Sequence, residues 1–115
     1  MKLDRGHTHI NSIGGITCPE LEDDVLMKSK LVVDSRKAAL EEAPDIIRAI
    51  KNGTISPDDV YAELGELIIG RKPERINSRE ITVFRTVGIA AEDATTAKAI
   101  YELANKNNVG TNLTL

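Results

Sequence analysis

Two segments of this sequence have the form of a short apolar strand that ends at glycine. His9 to Ile13 runs into the pair Gly14-Gly15, and Ile81 to Val87 runs into Gly88. Glycine at such a point allows a tight turn or a close approach of the main chain to a ligand. In open α/β sheets, ligands bind in the crevice outside the carboxyl ends of the strands. The two segments therefore predict a sheet whose strand ends line a binding site.

The rest of the chain alternates between helix and strand signals. Leu31-Val32-Val33 is a β-branched run typical of a strand that is buried on both faces of a parallel sheet. The predicted helices are Pro19 to Lys28, Ser35 to Ala43, Asp45 to Asn52, Ser56 to Ile69 and Ala91 to Lys106. This pattern predicts an α/β fold, with a small, mainly parallel sheet and flanking helices.

Two of the helix boundaries have a clear chemical cause. Pro44 has no amide proton and disfavours helix in the residue before it, so a break is expected at Ala43-Pro44. Ser56-Pro57 followed by two acids is a strong helix start, and it predicts a helix to Ile69. Its apolar stripe consists of Val60, Leu64, Leu67 and Ile68.

The C-terminal helix is predicted to pack on the sheet. Its inward face is expected to consist of Ala94, Ala97, Tyr101 and Ala104, because alanine allows close packing. Residues Thr111 to Leu115 could add a final edge strand. The sequence contains no internal repeat and no linker, and residues 1–115 are interpreted as a single domain.

Charged and histidine clusters have plain structural interpretations. The acids from Glu20 to Asp24 suit the positive end of a helix dipole better than paired catalytic carboxylates. His7 and His9 would point to one face of a strand, but no acid or cysteine nearby in sequence completes a metal site. We therefore expect no metal, and a structural histidine beside a ligand pocket.

Composition excludes several classes of function. The net charge is −3 and the cations are scattered, so the basic stripe expected of a nucleic-acid-binding protein is missing. No apolar run approaches the ~18–20 residues of a membrane span, and the polar N-terminus lacks a signal peptide. A cytoplasmic protein is the expectation.

The two strand ends leave alternatives open when only the residues are considered. Ile13-Gly14-Gly15 could present backbone amides to a ligand, but two glycines after a strand are more often only a turn. Thr86-Val87-Gly88 places a hydroxyl and free backbone groups at a strand end, and a plain strand terminus explains it equally well.

Nearly the whole chain resembles the C-terminal part of the ornithine cyclodeaminase/mu-crystallin family, which includes archaeal alanine dehydrogenases. The resemblance lies in the following residues, in order: Gly6, His9-Ile10-Asn11, Ile13, Gly14-Gly15, Glu20-Leu21, Leu31 to Asp34, Asp58 to Gly70, Ile81 to Gly88, Glu92-Asp93 and Ala97. It implies the C-terminal part of a Rossmann-type NAD(P)-binding domain, followed by C-terminal helices.

The resemblance also implies roles for particular residues. Ile13, Gly14, Gly15 and Thr86 match positions that contact NAD or NADP, and Val87 matches a position that borders the substrate. The implied chemistry is hydride transfer between the α-carbon of an amino acid and the nicotinamide.

The sequence departs from the family pattern at the residues that do the chemistry. The family usually carries an aspartate directly after the glycine pair and then a lysine that helps to hold the cofactor. This chain has Ile16 at the first position and no equivalent lysine, so it offers no catalytic residue. The G-x-G-x-x-G fingerprint and the half of the family fold that clamps the substrate are also absent from the sequence.

These departures leave three hypotheses. The first is a relic or split portion of an NAD(P)-dependent oxidoreductase of amino-acid metabolism, inactive unless a partner chain supplies the missing N-terminal half. The second is a non-catalytic, mu-crystallin-like binding or homodimerisation module. The third is a free-standing enzyme, which the missing groups disfavour.

Overall fold

A parallel sheet forms the centre of the protein in a computed structural model, which describes residues 8–111 and 113. Its four strands have the order β1-β4-β2-β3, and every neighbouring pair is parallel. The strands are β1 (His9–Ser12), β2 (Ser29–Val33), β3 (Val60–Glu63) and β4 (Ile81–Arg85). The predicted fold class, a small parallel sheet with flanking helices, is confirmed.

The helices complete the α/β pattern. They are α1 (Asp23–Lys28), α2 (Arg36–Glu42), α3 (Pro44–Lys51), α4 (Leu64–Ile68) and α5 (Ala90–Asn107). The predicted break between α2 and α3 is confirmed, because α3 begins at Pro44 directly after the extended residue Ala43. Ser35 caps α2, since its side-chain oxygen accepts a hydrogen bond from the Ala38 N–H.

The hydrophobic core lies between one face of the sheet and α1 to α3. Leu31 and Val33 of β2 and Val83 of β4 are almost completely buried on this face. They belong to the same cluster as Ile46 of α3 and Leu26 of α1. Burial of branched aliphatic side chains on both layers is the main source of stability for such a unit.

The helix predicted from Pro19 begins four residues later in the chain than expected. Helix α1 starts at Asp23, and Glu22 is its N-cap residue. Pro19 and Glu20 lie in the loop that precedes it. The acids Asp23 and Asp24 do occupy the first turn, as predicted, but Glu20 has a different role that is described below.

The helix predicted from Ser56 to Ile69 is wrong. The start signal forms only a 3-10 turn over Pro57–Asp59, and the chain then becomes strand β3 before the short helix α4. Val60 and Ala62 alternate with half-buried residues and pair with β2. Pairing with a buried strand overrides the local helix signal, because it satisfies the backbone and buries both side chains.

The inward face predicted for the last helix is also wrong. None of the 18 residues of α5 is buried, and Tyr101 is 67% exposed. Ala104 is the most shielded residue of the predicted face, and it is only half-buried. The predicted edge strand from Thr111 to Leu115 lies largely outside the described residues.

Candidate functional site

The carboxyl ends of β1, β2 and β4 come together at one edge of the sheet. Ser12, the last residue of β1, is opposite Arg85, the last residue of β4, and Val33 of β2 is also in register with Arg85. The two glycine-terminated segments that the sequence singled out therefore end side by side. Asp34 follows β2 at the same edge.

Arg85 joins the two segments from inside the protein. Its side chain is fully buried, and its Nε lies 3.1 Å from each carboxylate oxygen of Asp45. Its Nη1 donates to the Gly14 carbonyl at 2.7 Å and to the Thr86 carbonyl at 2.6 Å. Nη2 donates to the Gly15 carbonyl at 3.3 Å. The planar guanidinium thus holds both strand ends in one fixed arrangement.

Glu20 holds the glycine loop from its other side. Its Oε2 accepts hydrogen bonds from the Ser12 hydroxyl and, at 2.9 Å, from the Gly14 N–H. The Ser12 hydroxyl, followed by the Gly14 N–H, lowers the pKa of the Glu20 carboxyl below its ordinary value. A Cβ at Gly14 would lie 1.6 Å from Oε1 of Glu20, so a larger residue here would have to displace the Glu20 carboxylate. The Glu20 carboxylate therefore holds the main chain of the preceding glycine loop in place.

Gly15 differs from Gly14 because no atom lies within 4 Å of the place where its Cβ would be. Ile13 and Ile16 on either side of the glycine pair are 77% and 54% exposed. Gly15 is therefore exposed with open space beside its Cα, although its carbonyl accepts from Arg85, whereas the Glu20 carboxylate fills the corresponding space at the half-buried Gly14.

Asp34 organises the end of β4. Its Oδ2 accepts hydrogen bonds from the Thr86 hydroxyl, from the Val87 N–H at 3.0 Å and from the Gly88 N–H at 2.9 Å. Burial raises the pKa of the Asp34 carboxyl, but the hydrogen bonds from Thr86, Ser35, Gly88 and Val87 outweigh burial and hold that pKa below its ordinary value. The carboxylate thus fixes the turn at Gly88, whose φ is +84°.

The predicted site residues therefore fall at one edge of the sheet. Ile13 and Gly15 are exposed there, and Gly14 is half-buried. The Thr86 hydroxyl already donates to Asp34 and accepts from the Gly88 N–H at 3.0 Å. Val87 packs partly against the core. The structure brings these residues together, and their proposed contacts with a cofactor or substrate remain predictions.

The sequence interpretation missed the buried polar residues that hold this edge together. Asp34 and Asp45 are 8% and 0% exposed, and Arg85 is 0% exposed. A signal for Arg85 was present, because a cation stands on the inward face of an otherwise apolar strand. A buried cation requires a partner. Nothing in the local sequence identifies that partner as Asp45, which lies 40 residues earlier.

The opposite face of the sheet carries a cavity of about 420 Å³. Its floor includes Val32 and Phe84, and Leu67 of α4 forms part of its wall. His9 lies at the rim, where Nδ1 is 2.8 Å from the Thr82 hydroxyl and Nε2 is 3.1 Å from Oδ1 of Asn11. His7, the other histidine of the pair for which no metal is expected, lies outside the described residues.

Residues 8–111 and 113 contain neither a metal-ligand cluster nor a membrane-spanning helix. No group of three or more His, Cys, Asp or Glu residues in this part could hold a metal ion. No helix of the same part is long and apolar enough to cross a lipid bilayer.

Comparison with known proteins decides the family. The model of the ornithine cyclodeaminase/mu-crystallin family matches residues 3–108. The chain belongs to this family. The resemblance stated from the motifs is thus confirmed over nearly the whole sequence.

Curated relatives in the family are reductases and dehydrogenases. The chain is 39% identical over 113 residues to a Delta(1)-pyrroline-2-carboxylate reductase of Bacillus cereus, covering 95% of this chain and 34% of the relative. It is 41% identical over 108 residues to an alanine dehydrogenase of Archaeoglobus fulgidus, covering 92% of this chain and 33% of the relative. The chain therefore spans about one third of these proteins.

Solved structures show the same coverage. A Delta(1)-pyrroline-2-carboxylate reductase of Thermococcus litoralis, in complex with NADH and L-proline, superimposes with a TM-score of 0.84 at 50% identity. The match covers 95% of this chain and 34% of that chain. An archaeal alanine dehydrogenase dimer with bound NAD gives a TM-score of 0.78 at 39% identity, covering 96% of this chain and 35% of that one.

Proposed function

We propose that this chain forms the rear wall of the nicotinamide pocket of an NAD(P)-dependent oxidoreductase that acts on amino or imino acids. Catalysis would then require a second polypeptide that supplies the rest of the fold. The observation that supports this proposal most directly is that the Arg85 guanidinium binds the carbonyls of Gly14, Gly15 and Thr86 and so fixes them at one sheet edge. Chains solved with NADH or NAD share this fold.

The open space beside Gly15 supports a cofactor contact there. In this proposal Ile13, Gly14, Gly15 and Thr86 border the dinucleotide, and Val87 borders the substrate. When bound, the cofactor would exchange a hydride with the substrate α-carbon. The residues of this chain orient the two reactants, because the Thr86 hydroxyl is held by Asp34 and cannot turn freely.

The chain by itself lacks two functions that the reaction requires. Ile16 has no titratable group, so the residue after the glycine pair cannot transfer a proton. The sequence also has no G-x-G-x-x-G turn on which a diphosphate could rest. We therefore propose a split or partial oxidoreductase rather than a free-standing enzyme.

Fluorescence titration with NADH tests this function. The purified chain alone should give a flat titration. NADH should bind once the chain is combined with a Thermococcus litoralis reductase from which the matching segment has been deleted. Gly15→Val should weaken that binding without changing the fold, because the added side chain would point into open space. Turnover of an amino acid by the chain alone would contradict the need for a partner.

A non-catalytic dimerising module is the second candidate. It is favoured by the exposed apolar side chains of α5, since Ile100, Tyr101 and Leu103 are each at least 60% exposed. Sedimentation equilibrium separates the candidates, because this module predicts a homodimer in the absence of any other polypeptide. A cytoplasmic location remains a prediction for either candidate.

A further inference from the structure

The main chain of Gly14 is held on two sides. Its carbonyl accepts a hydrogen bond from Nη1 of Arg85 at 2.7 Å, and its N–H donates to Oε2 of Glu20 at 2.9 Å. The carbonyl of Gly15, the next residue, also accepts from Arg85, through Nη2 at 3.3 Å. Two consecutive carbonyls of the glycine loop therefore converge on one buried guanidinium.

The direction of these carbonyls determines where the following N–H groups point. In a trans peptide, the C=O of one residue and the N–H of the next point in opposite directions, and the described residues contain no cis peptide bond. The carbonyls of Gly14 and Gly15 face the guanidinium, so the N–H groups of Gly15 and Ile16 point away from it. Neither N–H donates a hydrogen bond within residues 8–111 and 113. Both groups are thus available to an acceptor outside the loop.

Asp45, the second residue of α3, contacts both residues that hold the loop. Its carboxylate oxygens each lie 3.1 Å from Nε of Arg85, and Oδ2 also accepts from the Glu20 N–H at 3.3 Å. Oδ1 accepts from the Ile46 N–H at 3.0 Å. The Asp45 side chain is completely buried, and a carboxylate removed from water is held firmly by such partners. Asp45 therefore connects helix α3 of the core to the glycine loop.

We infer that Asp45 is a positioning residue, which acts on the glycine loop through Arg85 and Glu20. It sets the direction in which the Gly15 and Ile16 N–H groups face the proposed nicotinamide pocket. Asp45 itself is buried and does not touch the ligand. This inference rests on the proposed function. A ligand oxygen at this edge would meet N–H groups that are already oriented, so binding would require less ordering of the loop.

A second ion pair shows what a structural role without positioning looks like. Nε of Arg48 lies 2.8 Å from Oδ1 of Asp23, and Nη2 of Arg48 donates to the Leu21 carbonyl at 2.6 Å. This pair joins α1 to α3, just as the Asp45 pair joins α3 to β4. It makes no hydrogen bond to either glycine of the loop, and it therefore provides the control.

Matched double variants separate positioning from stability. Asp45→Leu/Arg85→Met removes both charges together, so no unpaired charge is left in the core. Asp23→Leu/Arg48→Met makes the same chemical change at the control pair. Circular dichroism checks that both variants are folded. A purely structural role for Asp45 would predict the same behaviour of the glycine loop in both variants.

Nuclear magnetic resonance relaxation of the chain alone measures how firmly the loop is held. In wild type, the amides of Gly15 and Ile16 should have order parameters of about 0.85, as expected of a rigid main chain. Asp45→Leu/Arg85→Met should lower both values below about 0.6, because the two carbonyls lose their common donor. Asp23→Leu/Arg48→Met should leave them unchanged.

NADH affinity measures the consequence for the ligand. It is determined by fluorescence titration of a chimera in which this chain replaces the matching segment of the Thermococcus litoralis reductase. The dissociation constant should rise about tenfold or more for Asp45→Leu/Arg85→Met, because misplaced groups bind a ligand poorly. For Asp23→Leu/Arg48→Met it should change less than about twofold.

Three results would overturn the inference. They are unchanged order parameters at Gly15 and Ile16 in Asp45→Leu/Arg85→Met, an unchanged NADH affinity of this variant, and an equal loss of affinity in the control variant. A wild-type chimera that binds no NADH would contradict the proposed function instead. The order parameters alone would then decide whether Asp45 positions the loop.

Discussion

Asp45 and Arg85 form an ion pair that is completely buried, with Nε of Arg85 3.1 Å from both carboxylate oxygens. The pair joins the first turn of α3 to the end of β4. The remaining donors of Arg85 reach the carbonyls of Gly14, Gly15 and Thr86. The same buried guanidinium therefore contacts both the helix α3 of the core and the loops of the candidate site.

Breaking this ion pair should strongly destabilise the protein. Arg85→Met leaves the Asp45 carboxylate buried without its cation, and it should lower the free energy of unfolding by about 3–5 kcal/mol. Urea denaturation measures the change. Arg79→Met removes an exposed cation and should stay within about 0.5 kcal/mol of wild type. Equal stabilities for the two variants would show that the pair contributes nothing.

The two glycines of the loop should respond differently to alanine. Gly14→Ala forces the Glu20 carboxylate out of its position, because the new Cβ would lie 1.6 Å from Oε1. It should lower the midpoint of thermal unfolding by a few degrees. Gly15→Ala meets no atom within 4 Å and should leave the midpoint unchanged.

A double variant identifies the cause of the Gly14 effect. Glu20→Ala removes the side chain that the new methyl group would contact. Gly14→Ala should therefore cost less in a Glu20→Ala background than in wild type, and calorimetry measures both steps. Strictly additive effects would show that the clash with Glu20 is not the reason.

Acid should destabilise the protein partly through Asp34. Hydrogen bonds from Thr86 and neighbouring N–H groups hold the pKa of Asp34 in the folded state below its value in the unfolded chain. Its stabilising contribution is therefore complete above about pH 5, and it is lost as the pH falls below about 4 toward the folded-state pKa.

Chemical denaturation between pH 6 and pH 3 measures this contribution. Asp34→Asn should flatten the loss of stability at acid pH, while Glu41→Gln, at an exposed position on α2, should follow the wild-type curve. An Asp34→Asn curve parallel to wild type would assign the acid sensitivity to other carboxyls.

The Thr86 hydroxyl should be required for stability as well as for the proposed cofactor contact. Thr86→Val removes a hydrogen bond to a buried carboxylate and should lower the free energy of unfolding by about 1–3 kcal/mol. Thr86→Ser keeps the hydroxyl and should cost less than about 1 kcal/mol. Urea denaturation of the two variants decides, and equal losses would indicate that the methyl group matters instead.

The strands with the strongest local patterns could be predicted from the sequence. Leu31-Val32-Val33 and Ile81 to Val87 both become central strands, although β4 ends at Arg85 rather than Val87. The break at Pro44 was also predictable, because the missing amide proton acts within one helical turn. These features depend on neighbouring residues only.

The predictions that were wrong concern elements that depend on partners far away in the sequence. Strand β3 exists because Val60 and Ala62 pair with β2. The preceding Ser-Pro-Asp-Asp sequence does start a helical turn, but that turn ends at Asp59. Helix α5 was predicted correctly as a helix, but its buried face was not, since alanines at helical spacing do not specify a contact.

The sequence by itself determined the alternation of helix and strand, the strands that end at glycine, and the family. Each of these depends on local residue patterns and on the spacing of motifs along the chain. Only the tertiary structure decided that Arg85 pairs with Asp45, and that Arg85 and Glu20 bind the main chain of Gly14 while the space beside Gly15 stays open. The physical reason is that hydrogen bonds between polar groups far apart in sequence form only after the parallel strands are aligned. A linear pattern does not encode which buried cation meets which buried carboxylate.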